Sequence, residues 1–181
     1  MRKFMSMLLA ATMVLSMGLT SVAAKVKAPI LRVDDEHLTI ISEGKKTDYE
    51  MKESEIFLKK NGEKGIAVQF RDKKNVKKKI ALGEVRSLTI EGELDRLVLP
   101  STFDQNYKIT IHEDAEIERL DTNGKARIYV EGEVEKAYLN TPHAYIKIVE
   151  DGEIEKVYAK DRKSINSESS SGVKEFRSTG S

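Results

Sequence analysis

The sequence contains no cysteine and no tryptophan. Without cysteine there can be no disulfide, no thiolate nucleophile and no lipoprotein attachment point. Histidine is scarce as well. His37, His112 and His143 lie in separate segments, none at metal-ligand spacing from another. There is no Gly-x-Ser-x-Gly elbow, no phosphate-binding loop and no dinucleotide fingerprint. Net charge is also small, formally +1 over 181 residues, and that balance argues against nucleic acid as a partner. These absences point to a non-enzymatic chain with no cofactor and no metal.

The N-terminus carries Arg2 and Lys3, then an uncharged run from Phe4 to Ala24. Val22-Ala23-Ala24 puts small residues at the −3 and −1 positions of a cut after Ala24. Residues 1–24 therefore read as a secretory signal peptide, with an uncleaved anchor as the alternative. The expected location is extracellular or associated with the cell envelope. After cleavage no membrane-spanning segment remains. An exported chain without cysteine points to a bacterium.

A repeat dominates residues 80–159. Its copies are Gly83-Glu84-Val85-Arg86-Ser87-Leu88, Gly92-Glu93-Leu94-Asp95-Arg96-Leu97, Ala115-Glu116-Ile117-Glu118-Arg119-Leu120, Gly132-Glu133-Val134-Glu135-Lys136-Ala137 and Gly152-Glu153-Ile154-Glu155-Lys156-Val157. The steps are 9, 23, 17 and 20 residues, a period near 20 with slack in the loops. Such a period is the signature of a solenoid. Before each corner stands an apolar-x-apolar triplet, such as Leu88-Thr89-Ile90 or Ile146-Lys147-Ile148. After it come apolar residues at +2, +5 and often +7, as in Leu94, Leu97 and Leu99. Alternation of this kind means strand. The two polar residues at +3 and +4 break the parity, so the chain turns there.

The predicted fold is all-β: a parallel β-solenoid of about four coils, each of about 20 residues, spanning residues 80–159. An antiparallel meander or sandwich is the alternative. Leu94, Leu97, Ile117, Leu120, Val134, Ile148 and Ile154 should be buried, with Glu93, Glu133 and Glu153 exposed. Residues 25–79 read as an N-terminal β module that caps one end. Its firmest feature is a hairpin around Asn61-Gly62, between Ile56-Phe57-Leu58 and Ile66-Ala67-Val68-Gln69-Phe70. Residues 160–181 are rich in serine and read as a flexible tail. The last coil then either is covered by that tail, through Ile165, Val173 or Phe176, or pairs with a second molecule. A monomer or weak dimer is expected.

Charge is unevenly distributed. Residues 25–79 carry 15 basic and 10 acidic groups, and residues 80–159 carry 9 and 17. Glu84, Glu93, Glu116, Glu133 and Glu153 follow the corner in every copy. Stacked, they form a carboxylate column beside a basic one. A solvated face that keeps the rod soluble and in register accounts for both columns. A Ca²⁺ site is the functional alternative, without the acidic loop such sites use. Paired carboxylates for glycoside cleavage fit poorly, because regular repetition gives them no distinct environments.

Two groups could touch a partner. Tyr129, Tyr138, Tyr145 and Tyr158 alternate with core residues and point outward, where an aromatic row can meet sugar rings. Tyr138 and Tyr158 share a repeat position and should stack. The run Arg71–Lys79 holds six basic residues; Lys73, Lys74, Lys77 and Lys78 could contact an anionic wall polymer or lipid surface. A solvated linker is the ordinary reading of such a run.

The Gly-Glu-Val-Glu-Lys repeat with its Ile-x-Ile triplets resembles short-coil β-solenoids of bacterial surface proteins. It is similar to the adhesin-head type of right-handed β-helix and to repeats of surface-layer-associated proteins. It also resembles bactofilins, which are cytoplasmic and have no signal peptide. The resemblance implies a structural role at the cell surface and assigns no functional residue. The function expected is that of a secreted or cell-surface structural and interaction protein, adhesin-like, whose partner is a cell-wall polymer or another envelope protein. A module binding wall polysaccharide is the alternative.

Overall fold

The computed structural model describes residues 27–149, 151–160, 165 and 172–179. The expected signal peptide, residues 1–24, lies outside the described residues. The strands are β1 Ile30–Asp34, β2 His37–Ser42, β3 Lys45–Glu50, β4 Glu55–Asn61, β5 Gly65–Arg71, β6 Lys77–Ala81, β7 Ser87–Leu99, β8 Lys108–Thr122, β9 Arg127–Val130, β10 Glu133–Leu139, β11 Tyr145–Ile148, β12 Glu153–Ala159 and β13 Val173–Ser178. No helix among the described residues is long and apolar enough to cross a membrane.

Each coil is a rung with two strand limbs. The long strands β7 and β8 carry both limbs, whereas β9–β10 and β11–β12 divide them. On the first limb Leu88 pairs with Ile109, Ile109 with Ile128, and Ile128 with Ile146, all in parallel. On the second limb the row is Leu97, Leu120, Ala137, Val157. Every one of these side chains is buried. The parity break appears where the sequence places it. Leu94, Leu97 and Leu99 face inward while Asp95 and Arg96 both face out. The pairing passes from Leu94–Ile117 to Arg96–Arg119 and skips Asp95 and Glu118, which form the corner. The seven core residues expected from the repeat are all buried. Glu93 and Glu133 are exposed, but Glu153 is only half-exposed because Lys174 of β13 lies over it.

Three expectations need correction. The first repeat copy, Gly83–Leu88, is not a corner of the stack. Gly92 pairs with Ala115, whereas Leu88 already belongs to the first limb. Only the four later copies are stacked corners. Second, the N-terminal module does more than cap. β1 pairs in parallel with the first limb of β7, and β4 with its second limb, so together they form one more rung. From β1 the sheet continues antiparallel through β2 to β3; from β4 it continues through β5 to β6. The Asn61-Gly62 hairpin joins β4 to β5, with Gly62 at φ 63°. Third, the serine-rich tail is not loose throughout, and of the two outcomes expected for the last coil it is the tail that covers it, through Ile165, Val173 and Phe176. β13 pairs in parallel with β12, placing Phe176 beside Val157, and Ile165 bridges to Ile146. Ile165, Val173 and Phe176 keep the apolar spacing of a rung.

The third side of the rung is loop, and it contributes to the core. Phe103 and Tyr107 are buried and stack with ring centroids 4.2 Å apart. Asn140 Nδ2 donates to Asn123 Oδ1, and Asn123 Nδ2 to the Leu99 carbonyl. This short asparagine ladder satisfies polar groups along the loop side.

Two glycines separate strain from clash. Gly92 has φ +83°, and a Cβ there would meet the Val33 carbonyl oxygen at 1.8 Å. Gly83 has φ +85° with open space around it. Gly83→Ala should therefore cost about 1 kcal/mol, and Gly92→Ala about 3 kcal/mol or more, in denaturant unfolding. Thr122 tests the core from the other side. It is fully buried in the column of Leu99 and Leu139, and its Oγ1 has no hydrogen-bond partner among the described residues. Thr122→Val should raise stability by about 1 kcal/mol in the same measurement.

Candidate functional site

The outward face of the second limb is where polar and aromatic side chains converge. One column runs Glu55, Arg96, Arg119, Lys136, Lys156, Glu175. Its neighbour runs Phe57, Val98, Asp121, Tyr138, Tyr158, Arg177. Parallel in-register stacking places like residues beside like, so four cations would meet side by side. Asp121 relieves this at one end. It is buried, with 4% of its side chain exposed, and accepts from Arg96 Nε at 2.8 Å and Arg119 Nε at 2.9 Å. Arg119 Nη2 gives a further bond to its other oxygen at 2.9 Å. Burial pushes the Asp121 carboxyl up, but the hydrogen bonds and charges of Arg119 and Arg96 outweigh that and hold it below the ordinary value. Lys156 is held by Glu155 at 2.7 Å, and Lys136 pairs with Glu135 in the same way.

The aromatic rings continue this row. The Arg119 guanidinium lies 4.3 Å from the Tyr138 ring centroid. Tyr138 and Tyr158 stack at 4.6 Å, within 5° of parallel, in line with their shared repeat position. Arg177 lies over Tyr158 at 5.8 Å, and Arg96 over Phe57 at 5.8 Å. The row Phe57–Arg96–Asp121–Arg119–Tyr138–Tyr158–Arg177 thus runs along the rod, each member leaning on the next. A sugar ring stacks on an aromatic face. Here each tyrosine is sandwiched, so its edge and hydroxyl are what it offers to solvent.

The other candidates lie elsewhere. Tyr129 and Tyr145 sit on the first limb, 6.4 Å apart and tilted by 59°. Tyr129 is in register with Lys147, and Tyr145 with Arg127, so they occupy different columns. Lys108 Nζ lies 4.5 Å from the Tyr129 centroid. The four tyrosines are therefore two pairs on two limbs. Lys73 and Lys74 stand in the turn after β5, and Lys77 and Lys78 on β6. In the sheet order β5, β4, β7 and β8 separate them from Tyr138. The turn is built by Asp72, whose Oδ1 accepts from the amides of Lys74 and Val76 at 3.0 and 2.8 Å. The bond from the Val76 amide holds the Asp72 carboxyl low. Lys73 pairs with Glu36 at 3.3 Å and Lys78 with Asp72 at 3.4 Å.

The carboxylate columns are in register: Glu93, Glu116, Glu133 and Glu153. With Asp95, Glu118, Glu135 and Glu155 they line an open trough of about 400 Å³, closed at one end by Lys174. Contacts with Glu153 and Glu155 raise the Lys174 ammonium above its ordinary value. A further group went unseen in the sequence. The ligand atoms of His112, Glu113 and Asp114 lie within 4.8 Å of one another. On a regular strand these neighbours would alternate sides. They converge because β8 takes two more residues to reach Ala115 from Ile111 than β7 takes to reach Gly92 from Ile90. The Asp114 amide donates to His112 Nδ1 at 3.3 Å. His37 and His143 stand apart from this group.

Comparison with known proteins finds no matching family model, no matching curated protein and no matching solved structure.

The row along the second limb depends on the Asp121 charge. Asp121→Asn should lower stability at neutral pH by about 2 kcal/mol, read from the denaturant midpoint. The native carboxyl titrates below its unfolded value. Its contribution is therefore complete above about pH 4 and disappears as pH falls through the native pKa. The variant should show a flatter stability profile across that acid range than the parent.

Proposed function

We propose that this chain is an exported, envelope-associated structural and interaction protein without catalytic activity. The observation that carries the reading is unbroken parallel stacking from the rung of β1 and β4 to β13. A rod of this kind holds a fixed length and presents regular columns of side chains, which suits spacing and display. The charged face of its second limb is largely self-paired, as expected of a scaffold. The uncharged run from Phe4 to Ala24, behind Arg2 and Lys3, supports export in a bacterial cell. The cell-surface role implied by the resemblance points the same way, and an adhesin-like partner belongs to this proposal.

Wall polysaccharide binding through Tyr138 and Tyr158 is the competing reading. Their sandwiched faces favour an internal role for the pair. Expression in a bacterial host, with fractionation and N-terminal sequencing, tests the proposal. The chain should appear in the envelope or medium starting at Lys25. Full-length chain confined to the cytoplasm would sink the reading. Purified wall then separates the two readings. Binding, if present, should be abolished by high salt and survive Tyr138→Ala with Tyr158→Ala, while that double variant unfolds at lower denaturant. Salt-resistant binding lost in the double variant would make the chain a polysaccharide module instead.

A further inference from the structure

The N-terminal end of the rod divides. The two limbs of β7 each extend into a sheet, one ending at β3 and the other at β6. The sheets share one core, and Tyr49 of β3 touches Phe70 of β5 edge to face, with centroids 5.6 Å apart. β3 pairs only with β2, and β6 only with β5. Among the described residues, then, both outer strands have a free hydrogen-bonding edge. A seam of about 150 Å³ lies between them, lined by Ile40, Thr47 and Tyr49 on one side and Ile80 and Leu82 on the other. Sheets pack face to face about 10 Å apart, across the direction in which strands hydrogen-bond, so an added strand pairs with one edge and lays side chains over the seam.

Charge selects what that strand is. On β6, Ile80 stands opposite Val68 and Lys78 opposite Phe70, so both are on the inner face. Lys77 and Lys79 alternate to the outer face, where Lys77 stands opposite Arg71. Lys45 lines the seam from the β3 side. Among the described residues, Lys45, Lys77 and Lys79 have no carboxylate within ion-pair distance. An edge studded with lysine repels another copy of itself, the usual protection of an exposed strand. It does not repel a strand of opposite charge. We propose that the β3–β6 seam accepts an extended acidic peptide, with acidic and apolar residues alternating, that adds as a strand to β6. Its carboxylates flank Lys77 and Lys79 on the outer face. Its apolar side chains lie beside Ile80 over the floor formed by Tyr49 and Leu82. Backbone hydrogen bonds supply affinity and the alternation supplies specificity. The inference rests on the reading of the chain as an interaction protein and names the class of partner.

Hydrogen exchange of the chain as exported tests it. The probe is a blocked synthetic heptapeptide of alternating glutamate and valine. Two controls have the same length, one with lysine replacing glutamate and one made of glutamate alone. The alternating acidic peptide should slow exchange in residues 77–81, and neither control should do so. Reversing both exposed charges, Lys77→Glu with Lys79→Glu, should weaken binding about tenfold and leave exchange in the solenoid unchanged. No slowing at millimolar peptide would overturn the proposal. Equal slowing by oligoglutamate would overturn it too, showing a plain basic patch that takes any anionic polymer. Neither outcome bears on export, so failure here is distinct from failure of the envelope assignment.

Discussion

No rung of this rod is stable alone. Each buries about half of its backbone hydrogen-bonding capacity against the rung before and half against the rung after. Its apolar stripe is covered only by its own opposite wall and those neighbours. In-register parallel stacking follows, because a slip of one rung by one residue would turn that rung's inward set, such as Val134, Ala137 and Leu139 of β10, outward together. That register imposes a cost outside. Identical positions become neighbours about 4.8 Å apart, so like charges are set beside like. Most of the surface chemistry can be understood as relief of that crowding. Asp121 replaces a tyrosine where two arginines meet, and Glu135 and Glu155 each hold a lysine. Lys174 reaches back over Glu153.

Register also explains what could be read from the sequence and what could not. The spacing of Leu94, Leu97 and Leu99 around two polar residues defines a limb and its corner, and the structure follows it. Gly83-Glu84-Val85 carries the same letters without the geometry, because nothing in a short motif states which rung it stacks on. The pairings of Gly92 state it: Val33 before and Ala115 after. The tail was half legible for the converse reason. Ile165, Val173 and Phe176 could be named as the residues that cover the last coil, but no Gly-Glu corner announces the rung they form. Phe103 and Tyr107 sit in a loop whose composition predicts only a turn, yet an open third side leaves a volume that large rings fill.

The surface groups were less legible still. Outward direction follows from alternation, so all four tyrosines could be placed outside. Which of them meet depends on loop lengths that put Tyr129 and Tyr145 in different columns. Asp121 gave no signal at all, being one aspartate among many acids. Its role comes from a column position it shares with tyrosines and from arginines in two successive rungs. His112, Glu113 and Asp114 became a cluster only through the longer corner of β8. Features made by stacking are invisible to a search along the chain, whereas features made by alternation are plain.

The two ends of the rod face the same problem and meet it differently. A stack of parallel strands must stop, and wherever it stops it leaves an edge that can recruit another chain. At the C-terminal end the chain lays β13 and Ile165 on the last full rung, carrying the inner columns one step further with half-buried Val173 and Phe176. The last full rung is thereby covered by the residues that would otherwise have begun a new coil, and among the described residues β13 in turn pairs only with β12. At the N-terminal end the limbs diverge, and each wall turns antiparallel. Antiparallel hairpins reverse direction after a few residues, so they end a parallel stack without a long crossover. Such a division moves the free edges from the middle of an apolar column to β3 and β6, where lysines can stand beside them. One end is continued by a partial rung and the other is guarded by charge. The positive balance of the N-terminal module therefore follows from the geometry of stopping a solenoid, just as the acidic face of the coils follows from continuing one.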